Sequence, residues 1–174
     1  MCGGDRRSLA RSDEARARIL ANPGLVGALT ALTADDDWLV AMRAVDLLEK
    51  LAHSHPDWVA PWKAVFLGPL ADREQWEIRL QVVRALPLFA WTAAQMPRVV
   101  AILCRDLDHP RTFVSAWAAT GLASFAADDP SLRPVVLRWL QAAEHGGGKA
   151  LRSRARALRR RWPRWATATS PPPV

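Results

Sequence analysis

The sequence predicts an all-α protein, an α-solenoid of about four helix pairs, on three observations. Pro23, Pro61, Pro97 and Pro134 each stand 17 residues ahead of an aliphatic residue, Val40, Ile78, Val114 and Leu151, so the chain repeats every 36 to 38 residues. Each aliphatic residue opens an apolar row with i, i+4, i+7, i+11 spacing, which is one face of a helix. A period of this length is that of helix pairs, none of which buries its apolar face alone, so that each must stack on its neighbours.

Taken in order, residues 1–11 read as a flexible arm, and Ser12, Asp13 and Glu14 start a short helix through Ala21 that covers the first repeat. The repeat domain spans 12–165, with repeats at about 23–55, 56–92, 93–129 and 130–165. The first helix of each pair begins near its register proline, where the missing N–H costs nothing. Three and six residues on come Val26 and Leu29, Ala64 and Leu67, Val100 and Leu103, and Leu137 and Leu140, which are expected to face inward. Asp129, Pro130 and Ser131 supply a start signal for the fourth of these helices, and Gly146, Gly147 and Gly148 stop it.

The second helices carry the stronger pattern. Their inner rows read Val40, Ala44, Leu47, Leu51; Ile78, Val82, Ala85, Phe89; Val114, Ala118, Gly121, Phe125; and Leu151, Ala155, Leu158, Trp162. A second apolar row, Met42, Val45, Leu48, then Leu80, Val83, Leu86, then Ala116, Ala119, Leu122, becomes Ser153, Arg156, Arg159 in the fourth copy. A terminal repeat without a neighbour needs such a polar outer face. Asp35, Asp36 and Asp37 stand where carboxylates cap the first of these helices, and Pro87 is expected to bend or shorten the second. Residues 166–174, ATATSPPPV, read as a disordered proline-rich tail.

The segments WLVAMRAVDLLEKLA (38–52), WEIRLQVVRALPLFA (76–90), FVSAWAATGLASFA (113–126) and ALRSRARALRRRW (150–162) resemble the HEAT-repeat superfamily over residues 23–164. In that family the second helix usually opens with an aliphatic-arginine pair after an acidic turn. Ile78 with Arg79 and Leu151 with Arg152 match, whereas Ala41 and Ser115 take the arginine's place in copies one and three. The resemblance implies second helices lining a concave groove, with Arg43, Arg79 and Arg152 as candidate contacts to a protein partner. HEAT-like hydroxylases hold a di-iron centre with His-Glu dyads, and no His-Glu dipeptide occurs here. HEAT-like DNA glycosylases grip duplexes on a basic, tryptophan-bearing surface, but their catalytic aspartate aligns with no named position of this chain.

Charge is uneven. Residues 1–144 carry 16 Lys and Arg against 17 Asp and Glu, whereas residues 145–174 carry eight cations and no acid. Arg152, Arg154, Arg156, Arg159 and Arg161, with Trp162 beside them, therefore form a candidate site for nucleic acid or another anion. The structural alternative is a charged cap, with cations favoured at a helix C-terminus. The composition, 21 Arg to three Lys with abundant Ala and Pro, looks like GC-rich coding bias, which raises arginine without any ligand.

No catalytic constellation appears, so no enzyme, cofactor or metal is expected. His53 and His55, in HSHPDW, read as a solvated turn rather than half of a metal site, and Cys104 as a small buried hydrophobe. The nine tryptophans read mostly as core, with any exposed one marking a binding face. No apolar run is long enough for a membrane span and no secretory h-region opens the chain, so the expected location is the cytoplasm.

Overall fold

The computed structural model describes residues 12–162, so the arm at 1–11 and the tail at 166–174 lie outside the described residues. Nine α-helices and no strand are found among the described residues. The chain divides after Trp91 into two compact units.

In the first unit, α1 (Ser12–Ala21) forms where Ser12, Asp13 and Glu14 predict it. Asn22 then accepts a bond from the Gly24 N–H at 3.2 Å and turns the chain through Pro23–Leu25 into α2 (Val26–Ala31). A 3-10 turn, Leu32–Ala34, leads to the aspartate run. Asp35 accepts from the Asp37 N–H and Asp37 from the Leu39 N–H, both at 2.9 Å, which caps α3 (Trp38–Ser54) as expected. The helix α3 is the hub of this unit, with α1, α2, α4 (Pro56–Val59) and α5 (Trp76–Ala85) packed around it. Val40, Ala44, Leu47 and Leu51 are all buried, as are Val45 and Leu48 of the second row.

The segment before α5 departs from the expectation. An α-helix running on from Pro61 is absent; after α4 the chain tightens into 3-10 helix over Ala60–Leu67 and again over Pro69–Asp72. Pro61 and Pro69 lack the N–H that an α-helix interior needs, so 3-10 bonding takes over. With three residues per turn the inward face shifts, and Val59, Phe66 and Leu70 are buried in place of Ala64 and Leu67. Pro87 acts as predicted: α5 ends at Ala85, a 3-10 turn covers Leu86–Leu88, and Phe89 is extended. Ile78, Val82, Ala85 and Phe89 are buried.

The second unit begins with α6 (Met96–Leu107) packed on α7 (Thr112–Phe125). Asp129 caps the turn Pro130–Leu132 by accepting from the Ser131 N–H at 2.9 Å, and α8 (Arg133–His145) follows. The last helix, α9 (Lys149–Arg161), packs on both α7 and α8. Val114, Ala118, Gly121, Ala155 and Leu158 are buried, with Phe125, Leu151 and Trp162 half-buried at the row ends. The second row is covered at Ala116, Ala119 and Leu122 and exposed at Ser153 and Arg156, whereas Arg159, expected on the same outer face, is half-buried.

Ser115 holds three helices of the second unit together. Its hydroxyl donates to the Leu107 carbonyl at 2.6 Å and accepts from the Trp139 indole N–H at 3.0 Å, so one small side chain ties α6, α7 and α8 together. The tryptophans are less interior than expected: among those described only Trp139 is buried, Trp62 is exposed and the rest are half-buried. Cys104 is also half-buried rather than interior, and burial raises its thiol pKa. No described helix is long and apolar enough to cross a membrane.

Candidate functional site

The basic helix α9 starts where the glycine run ends α8. Gly146 and Gly147 donate to the carbonyls of Ala142 and Ala143 at 2.9 and 3.2 Å, closing α8, and Gly148 is the extended residue before α9. Gly147 is forced by space: a Cβ there would lie 2.3 Å from the Ala143 carbonyl oxygen and 2.9 Å from Leu151 Cβ. Ala155 and Leu158 bury the inner face of α9, which leaves its cations to be sorted by their neighbours.

Three of the predicted anion contacts are engaged within the protein. Arg159 forms a two-pronged pair with Glu144, Nε to Oε1 at 2.7 Å and Nη2 to Oε2 at 3.0 Å. That bond, foremost, holds the Glu144 carboxyl below its usual pKa, with the charges of Arg159, His145 and Arg156 acting in the same sense. Arg154 lies over the Trp117 ring, 4.4 Å from its centroid, and its partial burial lowers its pKa. Arg161 lies over Trp162 at 4.8 Å. Arg152 and Arg156 are exposed and, with Glu144, line a cleft of about 230 Å³ between α8 and α9. Arg152 also donates to the Gly147 carbonyl, which fixes the head of its side chain near the start of the helix. Lys149 and Arg160, absent from the sequence-based set, are exposed as well.

The candidate groove contacts separate. Arg43 is only 3% exposed, because α3 is surrounded on several sides, and it is therefore not available as a surface contact. Arg79 is half-buried on α5, and Arg152 is exposed on α9.

A polar cluster between α3 and α5 escaped the sequence reading. Glu49 is fully buried; its Oε1 meets His53 Nε2 at 2.9 Å and Arg84 Nη2 at 3.0 Å, while Oε2 has no hydrogen-bond partner among the described residues. Burial raises the Glu49 pKa, opposed by Arg84 and His53 and reinforced by Asp46. Asp46 in turn pairs with Lys50 at 2.7 Å and accepts from Gln81 at 3.1 Å. His53 thus belongs to the last turn of α3 and not to a solvated turn, since the helix runs on to Ser54. The i, i+4 spacing of Glu49 and His53 was the available signal. His55 stacks on Trp58 with centroids 4.0 Å apart. No group of three or more metal-type ligands is found among the described residues. Set against known proteins, the chain matches no family model, no curated protein and no solved structure.

Proposed function

We propose that this chain is a non-catalytic α-solenoid of the HEAT type that works as an adaptor, holding a protein partner along the face formed by its second helices. The observation that carries the reading is the recurrence of one buried register: Val40 to Leu51, Ile78 to Phe89, Val114 to Gly121, and Ala155 with Leu158 all turn the same row inward. A chain that spends its apolar rows on stacking repeats leaves extended polar faces for recognition. Two exposed aromatic residues, Trp62 at 44% and Phe113 at 63%, add anchors of the type enriched at interface hot spots. The candidate contacts are Arg79, half-buried on α5 of the first unit, and Arg152, exposed on α9 of the second, whereas Arg43 is buried.

Affinity capture from the native host, run side by side with wild type, Arg79→Glu and Arg152→Glu, tests the reading. A partner retained by wild type and lost by either variant supports it. A partner held equally by all three, or none recovered with any, rejects the groove as the adaptor surface.

A further inference from the structure

We infer that α9 carries a track for the phosphodiester backbone of a nucleic acid, formed by Lys149, Arg152, Arg156 and Arg160. This goes beyond the adaptor reading, with which it shares Arg152; the Arg156 and Arg160 variants below separate the two. The four residues recur every three or four positions, so they share one stripe of the helix, and all four are exposed. From Lys149 to Arg160 the stripe runs for about 16 Å at the α-helical rise. No acid lies within α9 to neutralise it.

The carboxylate that lines the cleft beside it is already paired. Glu144 lines the same cleft as Arg152 and Arg156, yet both its oxygens are taken by Arg159, so the cleft keeps the charge of its two arginines. Arg154, seated on Trp117, lies off the stripe. The cleft therefore presents the Arg156 guanidinium and the part of the Arg152 guanidinium not bonded to the Gly147 carbonyl, and a guanidinium fork fits phosphate oxygens in pairs.

Two other anionic surfaces suit the stripe less well. A membrane would need an apolar face of the helix to insert, but Ala155 and Leu158 are buried within the unit. An acidic protein would need an apolar interface core beside the charges, and none of the four track residues is apolar. A linear polyanion asks only for a row of cations, and with no base-reading group in the row, binding is independent of sequence.

The test is fluorescence anisotropy of the full chain with a labelled duplex and a labelled single strand of equal length, titrated at several salt concentrations. Four phosphate contacts give a slope of log K against log salt of about −3.6 for duplex and about −2.8 for single strand. Between about 50 and 200 mM salt, affinity then falls roughly 150-fold and roughly 50-fold, respectively, and the ratio of the two affinities at one salt concentration reports which form is preferred. Arg152→Gln with Arg156→Gln should flatten the slope by about 2. Arg156→Gln with Arg160→Gln should do the same while leaving the Arg152 bond to Gly147 intact. Arg138→Gln, an exposed arginine of α8, should leave the slope unchanged. No binding to either form at low salt overturns the inference, as does a slope untouched by both double variants. Equal flattening by Arg138→Gln also overturns it, because net charge and not the track would then be responsible.

Discussion

The three glycines between α8 and α9 are not equivalent, and a pair of alanine substitutions separates them. At Gly147 a methyl group would sit 2.3 Å from the Ala143 carbonyl oxygen, 2.9 Å from Leu151 Cβ and 3.1 Å from the Ala143 carbonyl carbon. Two of those neighbours are backbone and the third is a first side-chain carbon, so none can swing aside. Relief requires the end of α8 to move, at the overpacking cost of about 1–3 kcal/mol. Moving it also weakens the Gly147 N–H bond to Ala143, about 0.5–1.5 kcal/mol. Gly147→Ala is therefore expected to lose about 2–4 kcal/mol, which in a chain of this size lowers Tm by roughly 5–15 °C.

Gly148 gives the contrast. No atom lies within 4 Å of a Cβ there, and its φ of −63° and ψ of 170° suit any residue. The smaller unfolded-state entropy of alanine, about 0.4–1 kcal/mol, is offset by the poorer N-cap that alanine makes, so Gly148→Ala should stay within about 0.5 kcal/mol of wild type. Urea unfolding followed by far-UV circular dichroism and by tryptophan emission measures both variants, with coincident transitions required before free energies are compared. A Gly147→Ala protein within about 0.5 kcal/mol of wild type, or a larger loss at Gly148 than at Gly147, refutes the reasoning.

Other perturbations have equally definite outcomes. Glu49 holds its proton more tightly in the folded state, so its contribution is fully present below its ordinary pKa and is lost as pH rises through the raised one. The stability advantage of wild type over Glu49→Gln should therefore shrink from pH 4 towards pH 7 in urea melts, and a growing advantage sinks the assignment. Glu144 has the opposite sign: its pKa is lowered, so the advantage over Glu144→Gln is present above the ordinary value and falls away as the solution is acidified through the lowered one. Ser115→Ala leaves the Trp139 indole and the Leu107 carbonyl without their partner and should cost about 1–3 kcal/mol; a near-neutral result would mean the hydroxyl is not the tie between these helices. Leu48→Ala, at a fully buried site, should cost about 2–5 kcal/mol. Leu25→Ser, at a site 38% exposed, should stay within about 0.5 kcal/mol, and comparable losses at the two would contradict the burial pattern.

Apolar periodicity made most of the helical framework readable before any coordinates. A row at helical spacing reports which face of one helix turns inward, and Val40 to Leu51 and Ile78 to Phe89 are buried as that rule requires. Caps were readable for the same reason, because Asp37 and Asp129 act on backbone two residues away. The rule fails where prolines replace α by 3-10 geometry, as between Ala60 and Asp72, since the inward face then advances at another rate.

Around the basic helix the arginines were visible but their partners were not. Arg159 meets an acid 15 positions earlier and Arg154 a ring 37 positions earlier, and only the fold brings those residues together. Arg43 and Glu49 were hidden for a related reason: periodicity describes a single buried stripe, and α3, ringed by four helices, has more than one.

The division after Trp91 also has a consequence in time. The principal α-helical partners of each helix are no more than two helices along the chain, and helical folds with such local contacts form in microseconds to milliseconds. Synthesis is far slower, at about 5–20 residues per second. The described helices of the first unit therefore find those partners without the residues after Trp91, so the folding of that unit need not wait for them to be made.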